Sequence, residues 1–240
     1  MRWFHVATAL LAALLLIGPA GATRPNIVLL MADDMGYCDI GCYGGEIETP
    51  HLDRLAAGGL RFTQFYNAAR CCPTRAALLT GLYPHQAGVG QMVRNRPSVE
   101  PHPNQGYLNR RCVTIAEVLR TAGYDCYMSG KWHVGEFRPA WPIDRGFHRY
   151  YGLISGAMNY FDITQSKRHG LERVFARDAE RVTPAKKEFY ATDAFTDEAL
   201  TMLRAHPADR PFFLYLAFNA PHWPLHAPPE TIRKYENRYA

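Results

Sequence analysis

Two unbroken apolar runs of strand length constrain this chain more than any other feature: Asn26 to Ala32 (NIVLLMA) and Pro211 to Phe218 (PFFLYLAF). Neither alternates with polar residues, so each reads as a strand covered on both faces, the pattern of a parallel sheet between helices. Helix-period stripes lie between them. Thr49 and Pro50 supply an N-cap and first helical residue before Leu52, Leu55 and Ala56, with Gly58 as the stop. Pro73 opens a second helix through Ala76, Leu78 and Leu79 to Gly81, and Thr114 with Glu117 forms a capping box ahead of Ile115, Val118 and Leu119. Thr192 caps a helix with Phe195, Ala199, Met202 and Leu203 on one face. Two further extended pieces, Leu60 to Tyr66 and Tyr124 to Ser129, complete the alternation, while Glu136 to Glu188 is polar and irregular apart from a hairpin. The expected fold is α/β, a mostly parallel sheet sandwiched by helices, in which ligands gather outside the carboxyl ends of the strands.

Polar residues stand at those ends. Asp33 and Asp34 follow the first strand, Cys71 follows the Leu60 to Tyr66 piece, Lys131 and His133 follow Tyr124 to Ser129, and His222 follows the last run. Each taken alone has a plain explanation. An aspartate pair makes a turn or cap as readily as it holds a hard cation such as Ca²⁺ or Mg²⁺. Cys71 near a helix N-terminus is half of a disulfide or an anionic group favoured by the helix dipole, and Arg75 on the first turn offers a guanidinium fork to an anion. Lys131 alone is solvated surface, His133 and His222 are satisfied loop histidines, and Trp132 and Trp223 are packing residues. Their joint placement after successive strands is what points to a site.

Composition narrows the classes. At 48% hydrophobic and 20% charged, the 240 residues exclude disorder and collagen and suffice for one core. The apolar run Val6 to Pro19, with Arg2 ahead and Ala20-Gly21-Ala22 behind, is too short to span a bilayer and reads as a secretory leader over residues 1–22. The expected mature chain is residues 23–240, periplasmic or secreted, with no membrane span. Loss of one leader Arg from 27 Lys and Arg leaves 26 against 22 acids, a net +4 without the basic stripe of a nucleic-acid binder. Six cysteines in an oxidising compartment predict some disulfide pairing, though not between adjacent Cys71 and Cys72, and no spacing matches a zinc ribbon.

The run Cys71-Cys72-Pro73-Thr74-Arg75-Ala76-Ala77-Leu78-Leu79-Thr80-Gly81 resembles the sulfatase signature, Cys-x-Pro-Ser/Thr-Arg followed by a short helix ending in Leu-Thr-Gly. Pro25 to Val28 through Asp33-Asp34-Met35-Gly36, Thr49 to Asp53, Gly130-Lys131-Trp132-His133-Val134-Gly135 and Ala220-Pro221-His222-Trp223-Pro224 resemble four further motifs of that family, in order. The similarity is to its arylsulfatase group, within the alkaline-phosphatase-like superfamily, and to the N-terminal half of its catalytic domain.

The resemblance implies a sulfuric ester hydrolase. Cys71 would be oxidised by a dedicated maturation enzyme to formylglycine, with Thr74 in place of the commoner serine. Asp33, Asp34 and residue 71 would hold Ca²⁺, or Mg²⁺. Arg75 would stabilise the hydrated aldehyde, Lys131 and His133 would hold it and the sulfate, and His222 would protonate the leaving alcohol. Ser155 falls near a serine that lies by the sulfate in some members. An aldehyde hydrate suits the chemistry because one hydroxyl attacks sulfur and the other, deprotonated, expels sulfate as C=O re-forms. The substrate would be a sulfated small molecule or carbohydrate. The family's further metal ligands have no match, since neither Asp-Asn nor Asp-His occurs, and three ligands fall short of the roughly 6 to 8 oxygens that calcium takes. A truncated sulfatase is therefore the expectation. Two other readings stand beside it: a non-catalytic remnant that binds anions through an unmodified Cys71, and a phosphoester or phosphonate hydrolase of the same superfamily.

Overall fold

The structure, a computed structural model, describes residues 24–93, 102–168, 171–185 and 187–238. The expected leader over residues 1–22 lies outside them. In chain order the elements are β1 (Ile27–Asp33), α1 (Pro50–Ala57), α2 (Cys71–Thr80), α3 (Ile115–Thr121), β2 (Asp125–Gly130), β3 (Arg149–Leu153), β4 (Lys167–Arg168), β5 (Leu171–Glu172), β6 (Phe175–Arg177), β7 (Glu180–Arg181), α4 (Ala191–Arg204), β8 (Phe212–Pro221) and α5 (Pro229–Arg233). Six strands form one sheet in the order β1-β8-β2-β3-β6-β7, and β4 with β5 makes a separate hairpin. The first four are mutually parallel; β6 and β7 add antiparallel to the far side.

β8, last in sequence, lies between β1 and β2. Its alternate residues serve two cores. Phe213, Tyr215 and Ala217 pack with Cys126, Met128, Ala76 and Leu79 beneath α2 and α3, whereas Leu214 and Leu216 pack with Tyr127, Leu153, Phe195 and Met202 beneath α4. Helices thus cover both faces, as a non-alternating strand requires. Ala217 is in register with Met31 on one side and Gly130 on the other, which sets the ends of β1 and β2 beside each other. The capping box of α3 is present, with Thr114 N–H donating to Glu117 Oε2 at 2.6 Å and Glu117 N–H to Thr114 Oγ1 at 3.1 Å.

The structure departs from expectation in four places. β1 is covered on one face only: Val28 and Leu30 are each 52% exposed, and α1 comes near Leu30 without covering it. Leu60 to Tyr66 is not a strand, for no described sheet edge pairs with it; Arg61 instead donates to the Cys42 carbonyl, and the Phe62 carbonyl accepts from Tyr43 Oη. The polar stretch holds β3 and the β6-β7 pair, anchored by buried Tyr150, Leu153 and Phe175. All six cysteines are free thiols, contrary to the expected disulfides; the buried Cys112 and Cys126 hydrogen-bond to the Asn109 and Ala116 carbonyls instead. Among the described residues no helix is long and apolar enough to cross a membrane.

Candidate active site

Four chain segments converge at the carboxyl end of the sheet. β1 ends in Asp33, buried, and Asp34, exposed and held at φ 62. β2 runs into Lys131 and into His133 at φ 55, both buried. β8 delivers His222 immediately after its end. Helix α2 starts two residues before Pro73, so Cys71 is its first residue, with Arg70 as N-cap. Proline is tolerated there because amides of the first turn have no intrahelical partner. The earlier start moves Arg75 from the first helical turn into the second.

Arg75 is the structural centre of this cluster. Its guanidinium is wholly buried; Nη1 donates to the Lys131 carbonyl at 2.7 Å and to Tyr215 Oη at 3.3 Å, and Nη2 lies 3.5 Å from Asp33 Oδ1. Lys131 Nζ donates to the other Asp33 oxygen. One buried carboxylate therefore faces two buried cations. Burial opposes the charge on Arg75, yet Tyr215, Asp33 and Cys71 outweigh it and raise its pKa. Lys131 moves the other way, lowered by burial and by Arg75 against the pull of Asp33. Within this trio two cations face one carboxylate in a low-dielectric pocket.

Cys71 lines a cleft of about 310 Å³ together with Asp33, Asp34, Asn67, Arg70 and Thr74. Its sulfur, that of Cys72 and a ring nitrogen of His133 lie within 4.8 Å of one another. The Cys72 thiol lowers the Cys71 pKa far below the usual thiol value; burial resists this, while His133 and Lys131 reinforce it. Burial, then the neighbouring Cys71, pushes the Cys72 thiol up. Desolvation takes His133 down to about 4, so the ring is neutral at pH 7, and both of its buried nitrogens lack a hydrogen-bond partner, as do Nε and Nη2 of Arg75. Gly156 makes room for that ring: a Cβ there would meet His133 Nε2 at 2.3 Å.

His222 approaches Asp34 from the end of β8. Its Nδ1 bonds to the Trp223 carbonyl, which assigns the proton to Nδ1 and leaves Nε2 facing Asp34 Oδ2 at 3.6 Å. All seven residues singled out from sequence, Asp33, Asp34, Cys71, Arg75, Lys131, His133 and His222, thus reach the same end of the sheet. Ser155 is buried and accepts from Val174 N–H at 3.0 Å, a bond that holds its loop. Trp132 packs in the core as expected, but Trp223 is 72% exposed beside His222. Sequence reasoning missed Tyr215 and Gly156. A hydroxyl inside an otherwise apolar strand was the available signal for Tyr215, since a buried phenol needs a partner; Gly156 carried none.

Fold and site define a class: an α/β protein with carboxylates, buried cations and a cysteine gathered at the carboxyl ends of parallel strands. The sulfatase family matches over residues 25–240. An arylsulfatase of Klebsiella aerogenes is 37% identical over 238 residues, which cover 97% of this chain and 51% of that protein. Human arylsulfatase A is 49% identical over 140 residues, 57% of this chain and 26% of its own. The crystal structure of Ps i-CgsB superposes with a TM-score of 0.79 at 35% identity, covering 91% of this chain and 50% of that one. A further structure, solved in complex with its substrate D-glucosamine-2-N,6-O-disulfate, gives 0.71 at 30% identity over 90% of this chain and 38% of its own. The chain belongs to the sulfatase family. It spans about half the length, or less, of the relatives it matches.

Proposed function

We propose that residues 23–240 form the catalytic portion of a sulfuric ester hydrolase of arylsulfatase type, exported behind a leader to the periplasm or cell exterior. Its substrate would be a sulfate monoester on a carbohydrate or small molecule, the class to which the disulfated glucosamine of the solved relative belongs. Cys71 would be the site of formylglycine, installed by a maturation enzyme. Asp33, Asp34 and residue 71 would hold Ca²⁺, or Mg²⁺. The donor set fits a hard cation in type, since two carboxylates share the cleft wall with residue 71. A cation held there would offset charge on the sulfate oxygens, and an aldehyde hydrate at residue 71 would supply a nucleophile.

The chain's own residues account for binding and proton movement. Arg75, fixed through Nη1 by the Lys131 carbonyl and Tyr215 and paired through Nη2 with Asp33, would offer Nε, which has no hydrogen-bond partner, to a tetrahedral oxyanion. Lys131 adds a second charge, and neutral His133 offers one N–H and one lone pair. His222, as the imidazolium with Nδ1–H held by the Trp223 carbonyl, would pass its second proton from Nε2 to the departing alcohol and be left neutral with Nδ1 still protonated. The observation that carries the proposal is that buried Arg75 Nε and both His133 nitrogens have no hydrogen-bond partner in the cluster around Cys71, a lack that a sulfate group would make good.

The test is hydrolysis of an aryl sulfate and an aryl phosphate by the protein, with and without chelator, alongside the mass of the tryptic peptide Cys71 to Arg75. Sulfate turnover that chelator abolishes, an aldehyde mass at residue 71, and a loss of about 10²–10³-fold in Arg75→Ala are expected. Preferential phosphate turnover would reassign the chain to phosphoester hydrolysis. A thiol mass with no turnover would leave the anion-binding remnant.

A further inference from the structure

We propose that, while residue 71 is still a cysteine, Cys71, Cys72, Met92 and His133 form a binding site for a soft closed-shell cation of the Cu(I) type. The Met92 thioether lies 3.9 Å from the Cys71 sulfur and 3.8 Å from that of Cys72. With a metal–sulfur bond near 2.3 Å, the edge of a tetrahedron of sulfur donors is roughly 3.8 Å, so both contacts already match a shared coordination sphere. The ring of His133 completes the set: its nearest nitrogen falls within 4.8 Å of both thiol sulfurs, and neither of its buried nitrogens has a hydrogen-bond partner.

Ligand softness and local charge select the ion. Thiolate and thioether together favour Cu(I) over hard divalent ions, which take oxygen. Two thiolates with a monovalent cation carry one net negative charge, which Lys131 and Arg75 nearby would offset; a divalent cation would leave those two buried cations less well balanced. Binding balances simply: each thiol releases its proton to solvent as its sulfur takes up the ion, and no oxidant is required. Cys71 reaches the cleft, so the ion has a route in, while Cys72 and His133 close the site from the core side. The ion would occupy the sulfur on which maturation acts, so metal loading and modification of Cys71 exclude each other.

The site stands on the thiol form and does not draw on the hydrolase proposal: a chain that binds copper but cleaves no ester keeps one and loses the other. The experiment is anaerobic Cu(I) titration against a chromogenic chelator, on full chain whose residue 71 is shown by mass to be a thiol. One Cu(I) per chain is expected, with affinity falling at least about tenfold in Cys72→Ser, falling less in Met92→Leu, and unchanged in Asp209→Asn, on the exposed turn before β8. Circular dichroism identifies any variant that has not folded; for such a variant, X-ray absorption of the copper-loaded parent decides, with sulfur and nitrogen scatterers expected. No stoichiometric uptake, oxygen-only scattering, or equal affinity in Cys72→Ser and parent would overturn the site. Tighter binding of Zn²⁺ than of Cu(I) would overturn the choice of a monovalent ion.

Discussion

Arg75 ties together residues that are 42, 56 and 140 positions away, and it does so without exposed surface. Such a buried pair is expensive to break from one side, because the remaining charge has neither water nor a partner. Asp33→Asn leaves Arg75 and Lys131 facing each other with no buried carboxylate between them. We expect it to lower unfolding free energy by about 3–5 kcal/mol in urea titrations with chelator present. The loss should shrink as pH rises, since Lys131, already lowered by burial, is the group able to shed its charge. Identical urea midpoints for variant and parent would contradict this account of the centre. Asp33, Asp34, Lys131, His133 and His222 were legible in sequence because each follows an apolar run that forms a strand, and Cys71 and Arg75 because they sit in the Cys71 to Gly81 signature. Tyr215 was not, since an aromatic in an apolar run looks like core until its hydroxyl is placed.

Local chemistry dictated some elements outright and tertiary context decided others. The Thr114 and Glu117 signature gives a capping box because both hydrogen bonds lie within one helical turn; Thr114 Oγ1 also donates to the Arg145 carbonyl at 2.8 Å, tying α3 to the loop before β3. Thr114→Ala should therefore cost more than a plain cap, about 1–2 kcal/mol, with Thr114→Ser recovering most of it in thermal melts. β3 was not legible: Arg149 to Leu153 has neither length nor alternation, and it is a strand because β2 presents an unpaired edge next to it. Leu60 to Tyr66 shows the converse. Its residues favour a strand, but β-propensity without a partnering edge yields no strand.

At the scale of the molecule, the uncovered face of β1 marks the sheet's end in this chain. Half-exposed Val28 and Leu30 stand on a strand that, among the described residues, pairs on one side only, an edge of the kind that associates. We expect Leu30→Lys to shift sedimentation towards monomer while changing stability by no more than about 0.5 kcal/mol. Desolvated imidazoles set a second global property. Desolvation lowers both the buried His133, to about 4, and the exposed His148, whose Nδ1 accepts from the Cys126 amide at 2.9 Å. Between pH 6.5 and about 4 the unfolded chain takes up a proton at His133 that the native chain refuses, so stability falls as pH falls through that window. The shift corresponds to about 3 kcal/mol at most. Denaturation midpoints of parent and His133→Gln at pH 7 and pH 5 should converge at the lower pH.

The strand order has one more consequence, for how the protein is made. β1 and β2 do not pair with each other; β8, which ends at residue 221, is the wedge that joins them in one sheet. As the chain leaves the ribosome, Asp33 and Lys131 emerge early and must wait, unmatched, until Phe212 to Pro221 has followed. Nascent chains arrested before that point would carry every signature residue but His222 and still have no assembled centre.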